Sequence, residues 1–442
     1  MKSTNTRQLK KALGIGFGIA ILIGGTIGVG ILRTPGPIAG LLNNNWLIIA
    51  CWALGGVYVL IGAGSYAELA TMLPKAGGSY NYVKRAFGDY AGFIIGWFDY
   101  LTNAIAPAFL CIVISEYVVA IFPFFKNQTT LISIAFLIGF TLLHAQGIKS
   151  GSITQQITSV IKVLFFVGFI TACFMYSGVQ LNTIEKESSF FETGVIIGFF
   201  KSLQMALGSY NGWNAGCFFA EEDENPVKNI PKALYTGAII VIAIYIVINM
   251  AFLHVLPASA IANAPLAASD VAKIIFGDQG AFIVTLIAIF SIISILNAFM
   301  MITPRILYGM SRDGFFVQKG TIVNKGGTPI VSLLVSASFA FVLILIGSFE
   351  VLFSLATFMS IIVWGFAYCA LIKLRNSEPN LPRPYKSWGY PWTTFIMIGC
   401  SIALFIGFAY SDQKSLLIIG AITLVSYPIF LTLNKINKTL NN

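Results

Sequence analysis

Charge is scarce in this chain: Asp, Glu, Lys and Arg make up 10% of its 442 residues, against about one quarter in an average soluble domain. That shortage excludes a water-soluble fold, because 57% of the residues are hydrophobic and have no aqueous interior large enough to hide them. Histidine is almost missing, with only His144 and His254, and neither stands in a metal-ligand spacing. The chain therefore carries the signature of neither zinc hydrolysis nor Ser-His catalysis; it reads as no enzyme, and no cofactor or metal is implied. The six cysteines, Cys51, Cys111, Cys173, Cys217, Cys369 and Cys400, all fall in apolar runs, where Cys behaves as a small buried hydrophobe. They offer neither a disulfide framework nor a thiolate cluster. The net charge of +10 comes from basic residues spread through loops, not clustered on one soluble face, so nucleic acid is not a partner.

What the chain has in abundance is long apolar runs. A membrane helix needs roughly 20 mainly apolar residues, and such runs recur with short polar interruptions. They predict about twelve spans: 12–42, 46–73, 90–122, 129–144 and 153–176, then 193–219, 234–256, 281–308, 329–347 and 351–372, and finally 390–410 and 415–431. The first run is too long for the apolar core of a cleaved signal peptide and reads as a retained helix. The fold class is an all-α polytopic membrane protein.

Orientation follows from Lys and Arg, which cytoplasmic loops retain. With the tail that holds Lys2, Arg7, Lys10 and Lys11 inside, the outside loops hold only Lys126, Lys186, Lys273 and Lys414, and Arg305 falls with the inside loops. Both termini are expected in the cytoplasm, as tails 1–11 and 432–442.

Two spans are interrupted. Gly24-Gly25-Thr26-Ile27-Gly28-Val29-Gly30 places four glycines in the first helix, each weakening it by about 1 kcal/mol relative to Ala. Two readings stand: the helix unwinds and faces a polar cavity, or the glycines let helices pack closely. The sixth span carries Leu207-Gly208-Ser209-Tyr210-Asn211-Gly212-Trp213-Asn214 at a similar depth. Broken helices in equivalent places of two five-helix units point to an inverted-repeat transporter with its substrate between the breaks. Half-helix N-termini there offer N–H groups to a carboxylate, and freed carbonyls offer acceptors to an ammonium.

Further motifs lie in order along the chain: Ala67-Glu68-Leu69, Pro74-Lys75-Ala76-Gly77-Gly78-Ser79-Tyr80, Gly212-Trp213-Asn214, Glu221-Glu222, Ser311-Arg312-Asp313-Gly314 and Arg383-Pro384-Tyr385-Lys386. Together with the glycine motif of the first helix, they resemble the amino acid–polyamine–organocation superfamily of permeases, in its L-amino acid transporter-like branch. The resemblance implies a leucine-transporter-type fold, with inverted repeats over 12–176 and 193–372, two extra helices over 390–431, and location in the cell membrane. It puts the substrate carboxylate on the backbone of Gly28, Val29 and Gly30, and the ammonium near carbonyls of Thr26, Gly208, Ser209 and Asn211. Similar transporters often carry Ser at the place of Val29 and a bulky gate residue at that of Gly208, which leaves room here for a larger substrate group. Relatives also place a lysine where Lys162 stands, in the position of a sodium ion, with Gln155 and Gln156 nearby. That makes Lys162 a candidate fixed cation joining helices 1, 5 and 8; the other reading is a lysine snorkelling to the interface.

Arg33 follows the break and has three readings: drawing anionic substrates inward, pairing with Asp99 or Glu116, or snorkelling outward. Glu68 and the acids at 221–224 read as caps or inner-gate ion pairs. The function expected is a secondary active amino acid transporter, either a sodium-independent exchanger or a proton-coupled symporter. A substrate-sensing relative without flux and a channel are the alternatives, although a channel wants a continuous polar lining that is not evident. The loop 123–129 has no cysteine, so no disulfide-linked heavy subunit is expected; the partners are the amino acid and membrane lipid.

Overall fold

The computed structural model describes residues 8–177, 193–264 and 266–441. Among them it has sixteen α-helices, three short 3₁₀ segments and no strand. The first predicted span is three pieces: α1 (Ile15–Thr26), α2 (Val29–Arg33) and α3 (Pro35–Leu42). Then follow α4 (Asn45–Met72), α5 (Ser79–Phe87), α6 (Asp89–Ile121), α7 (Thr129–Gln146) and α8 (Ile148–Met175). The second half holds α9 (Thr193–Tyr210), the 3₁₀ segment Ala215–Phe219, α10 (Pro226–Val255), the short α11 (Ala258–Ala262) and α12 (Ala267–Arg312). The last helices are α13 (Ile330–Ile346), α14 (Phe349–Ser377), α15 (Trp392–Ser411) and α16 (Gln413–Asn441).

Among the described residues ten helices are long and apolar enough to cross a membrane. Two of the twelve predicted spans fall short for physical reasons: α13 has only 17 residues, and the sixth span stops at Tyr210 and resumes as a 3₁₀ turn. The chain is an all-α polytopic membrane protein. Two features were not expected. The loop after α4 contains the amphipathic α5, whose Tyr80, Tyr82 and Val83 are buried. The eighth span begins at Phe282, as predicted, but a further helical piece from Ala267 precedes it across a turn at Gly277 (φ 71°).

Burial sorts the helices. The first span is 82% buried, whereas α16 is mostly exposed along its apolar length, as befits a helix facing lipid. At the centre α1 packs against α8, α10 and α12, and small residues make that approach possible. A Cβ on Gly18 would lie 2.9 Å from Ala233 Cβ, and one on Gly237 would lie 2.7 Å from Leu22.

Buried ion pairs fasten one end of the bundle. Glu68, fully buried in α4, receives Arg375 of α14 through Nε (2.8 Å) and Nη2 (2.6 Å) and the Ser387 N–H (2.6 Å). Arg305, expected in a loop, is instead buried within α12 and donates to both oxygens of Glu222 (3.0 and 3.2 Å). A buried arginine persists because its carboxylate partner is buried with it.

Candidate functional site

The break in the first helix is narrower than its glycines suggested. α1 continues through Gly24 and Gly25 to Thr26, and only Ile27 and Gly28 leave the helix, with extended backbone. The two readings of the glycines divide between residues. Gly24 serves close packing, since a Cβ there would overlap Gln155, Ser159 and Ser294. Gly28 serves the break. The first helical bond of α2 runs from the Leu32 N–H to Gly28 O (3.1 Å), so the N–H groups of Val29 and Gly30 precede any helical acceptor. α2 and α3 are separated only by Thr34, itself in helical conformation, so these N–H groups head a longer helical segment.

The carbonyls released at the end of α1 are taken up by three neighbours. Lys162 Nζ donates to Gly24 O (2.9 Å) and, at short range, to Ile27 O. Ser291 Oγ of α12 also donates to Ile27 O (3.3 Å). Tyr245 Oη of α10 lies 2.8 Å from Thr26 O and 2.8 Å from Ser209 O. Lys162 is 2% exposed, so its ammonium is turned into the protein and not toward the interface. Around it runs a polar seam between α1, α8 and α12. Ser159 Oγ donates to Ala20 O (2.8 Å), Thr158 Oγ1 to Ser294 Oγ (2.9 Å) and Asn297 Nδ2 to Gln155 Oε1. Gln156, expected beside Lys162, instead bonds Ser152 of its own helix. Neither Tyr245 nor Ser291 was found by sequence reasoning, because a tyrosine and a serine inside apolar helices look like ordinary core and packing residues.

The second break also falls later than expected. Gly208, Ser209 and Tyr210 are still in α9, and the turn runs through Asn211–Asn214. Gly212 has φ 107°, and a Cβ there would sit 2.8 Å from Gly25 O; the two breaks touch at this glycine, which no other residue fits. Gly208 O accepts the Asn211 N–H (3.2 Å), and Asn211 Nδ2 donates to Ser360 Oγ (3.2 Å). Ser209 Oγ shares a hydrogen bond with Thr34 Oγ1 (3.1 Å).

Between the breaks lies one cavity. Thr26, Gly30, Gly208, Ser209 and Asn211 line it, joined by Thr102 and Phe109 of α6, Ile295 and Phe299 of α12, and Phe353 and Thr357 of α14. Among the described residues Gly28 does not line it: a Cβ on Gly28 would run into Ile295 and Ser291 O of α12. Once the radius of a water is allowed for, only ≈ 20 Å³ remains, about the room of one water. The lining has no charged side chain.

The expected room beside Gly208 is filled. A Cβ there would lie 2.7 Å from Phe353 Cζ and would also overlap Thr357 Oγ1. Phe353 stacks on Phe349 (centroids 5.2 Å apart) and meets Phe109 edge-on (5.7 Å), so α14 supplies the bulk that α9 lacks. Arg33 lies over Phe349, 4.4 Å from the ring centre, and pairs with Glu116 (2.5 Å) and Glu350 (2.9 Å). It does not reach Asp99. On the opposite side the start of α1 is fastened to the segment after the second break. The Ala12 and Leu13 N–H groups donate to Glu222 O (3.0 and 3.1 Å), and Glu224 N–H donates to Leu13 O (2.9 Å). The Arg33 cluster and this backbone clamp thus lie on opposite sides of the cavity.

A family model described as amino acid permease matches residues 16–430. The chain is 27% identical over 438 residues to the serine/threonine exchanger SteT of Bacillus subtilis, covering 98% of this chain and 99% of that protein. It is 28% identical to the human b(0,+)-type amino acid transporter 1, over 86% of this chain and 79% of that protein. It is also 26% identical to the mouse large neutral amino acids transporter small subunit 2, over 86% and 73% respectively. These are transporters, not enzymes, and the match to the permease model runs through both broken helices and the cavity between them: the chain belongs to the amino acid permease family.

Proposed function

We propose that the protein is a secondary active transporter of neutral amino acids, working by alternating access around the two breaks. The observation that carries this reading is the single cavity lined from both sides by interrupted helices. The N–H of Gly30 at the cavity wall, with those of Gly28 and Val29 beside it in the break, suits the substrate carboxylate, and the carbonyls of Thr26, Gly208, Ser209 and Asn211 suit its ammonium. A zwitterion is matched without any charged side chain. The uncharged lining around Thr102, Phe299 and Phe353 suits an uncharged substrate side chain, since a buried charge without a partner is costly.

In this reading the inverted repeats span 12–176 and 193–372, and 390–431 adds two helices. Both termini are in the cytoplasm and the chain sits in the cell membrane. Lys162 holds the end of α1 against α8 and α12 as a fixed cation, so transport runs without sodium, by exchange or proton coupling. The cysteine-free loop 123–129 supports a chain that works without a disulfide-linked heavy subunit.

Counterflow tests the reading. Proteoliposomes preloaded with unlabelled serine, threonine, alanine or leucine are diluted into the same radiolabelled amino acid. A carrier shows transient accumulation stimulated from the opposite side. A channel only equilibrates, and a sensor binds without flux; either result overturns the proposal.

A further inference from the structure

Among the described residues, Asp99 is a buried acid within the span of α6 that has no counter-charge. Asp99 is 4% exposed and lies ten residues beyond Asp89, where α6 begins. That is about 15 Å along the helix, half of the roughly 30 Å hydrocarbon thickness. The fully buried acids Glu68 and Glu222 are paired, with Arg375 and Arg383 and with Arg305 respectively, and Asp223 outside the spans is bonded by Asn225 and Asn229. Asp99 receives Asn103 Nδ2 on Oδ1 (3.1 Å) and is faced by the hydroxyl and backbone N–H of Ser79 at the start of α5, while its Oδ2 has no partner at close hydrogen-bond distance. The groups that face it are Tyr66 of α4, Ser79 and Tyr82 of α5 and Cys217 of the 3₁₀ segment. All are neutral. From α14, Tyr368 joins the same cluster through Tyr66 (centroids 6.0 Å apart) and is neutral too. The cations of neighbouring elements are engaged elsewhere: Arg305 of α12 with Glu222, and Lys162 with the carbonyls of α1.

The place of Asp99 connects it to both sides of the cavity. One turn along α6 is Thr102, which lines the cavity. On the other side, Tyr66 packs on Trp213 in the second break (4.9 Å) and Cys217 belongs to the 3₁₀ segment that follows it. Tyr82 Oη, facing Asp99, and Trp213 Nε1, beyond Tyr66, are buried without partners, and an incoming water can accept from both donors.

We propose that Asp99 is a proton-binding site, and that the transporter carries one proton with each neutral amino acid. The step is a simple protonation: with the outer side open, the carboxylate takes one proton through the cavity and becomes a neutral carboxyl. The uncharged group then tolerates the closed, dry surroundings, where an ionised one does not. Displacement of the 3₁₀ segment on the cytoplasmic side wets Tyr66, Cys217 and Asp99, and the proton leaves with the substrate. This rests on the transport reading and decides between its two coupling modes.

The test uses the full chain in proteoliposomes with the membrane potential clamped. The probe is whichever of radiolabelled serine, threonine, alanine or leucine gives the strongest counterflow. The wild type is expected to accumulate it against its gradient, approaching about tenfold per unit of inward pH gradient, with an internal pH dye acidifying on addition of the amino acid. Asp99→Asn should keep counterflow but only equilibrate under the pH gradient, and Asp99→Glu should retain accumulation. Counterflow in the wild type without gradient-driven accumulation or acidification overturns the inference and leaves the transport reading standing; this arm needs no variant to fold. Asp99→Asn that still accumulates under the gradient also overturns it. Absence of counterflow in the wild type removes the transport reading itself, and this inference with it.

Discussion

Exchange of bulk across the cavity offers the most discriminating mutational test. Gly208 and Phe353 face each other from α9 and α14, and a Cβ on Gly208 would lie 2.7 Å from Phe353 Cζ. Adding a methyl there overpacks the closed state by about 1–3 kcal/mol, so Gly208→Ala should lower transport by roughly 5- to 150-fold. Gly208→Phe alone should abolish it. Phe353→Ala works in the other direction. It removes a ring that is 8% exposed and stacked on Phe349, at a cost of about 3–5 kcal/mol if the space stays empty. A bulky substrate can fill that space, so competition of uptake should shift from serine and alanine toward leucine and phenylalanine. The double variant Gly208→Phe/Phe353→Gly restores the volume from the opposite helix, and volume-conserving swaps cost less than about 1.5 kcal/mol. It should recover most of the transport that Gly208→Phe loses. Counterflow with amino acids of increasing size, alongside thermal melts of each variant, reads all of this. The reasoning is refuted if Phe353→Ala keeps the wild-type size ranking, or if the double variant is no better than Gly208→Phe.

Lys162→Ala should lose most transport while wild-type uptake stays the same when choline replaces sodium; full activity of the variant or strict sodium dependence of the wild type rejects the fixed-cation role. Glu222→Ala strands the buried Arg305 and should destabilise the protein by about 3–5 kcal/mol, read as a fall in melting temperature in detergent; an unchanged melt shows that the pair does not hold that end of the bundle. Arg33→Ala removes the cation that joins Glu116, Glu350 and Phe349, and should raise thiol-reagent access to a cysteine placed at Thr357 in a background stripped of native cysteines. Unaltered labelling there means that the cluster is no barrier.

The long apolar runs and the charge asymmetry made the helical membrane fold legible, because lipid imposes a simple rule on composition. The positions of both breaks were also legible to within a turn, from glycines and polar residues at matching depths. Their edges were not. Gly24 and Gly25 weaken a helix in isolation, yet here they keep helical geometry because α8 and α12 press against them. Gly208 looked like missing bulk since one sequence shows only one wall of a cavity; the ring that fills the gap arrives from Phe353, far along the chain. Arg305, near the end of the eighth span, was counted with the basic residues of the inside loops, because its buried partner Glu222 is disclosed only by packing. Lys162 was recognised by its position, but its acceptors are backbone carbonyls, which carry no letter in the sequence.

The hydroxyl of Tyr245 has a consequence in donor arithmetic. It stands at 2.8 Å from both Thr26 O and Ser209 O, but a phenol has one proton and satisfies one of them at a time. One of these two chain-end oxygens is therefore short of the phenol proton at any moment, and leaving a buried acceptor unmet costs about 1–3 kcal/mol. A substrate ammonium brings three donors at once. On the proposed reading, an ammonium seated between the breaks would relieve that frustration on both interrupted helices together and tie them into one unit only while cargo is aboard.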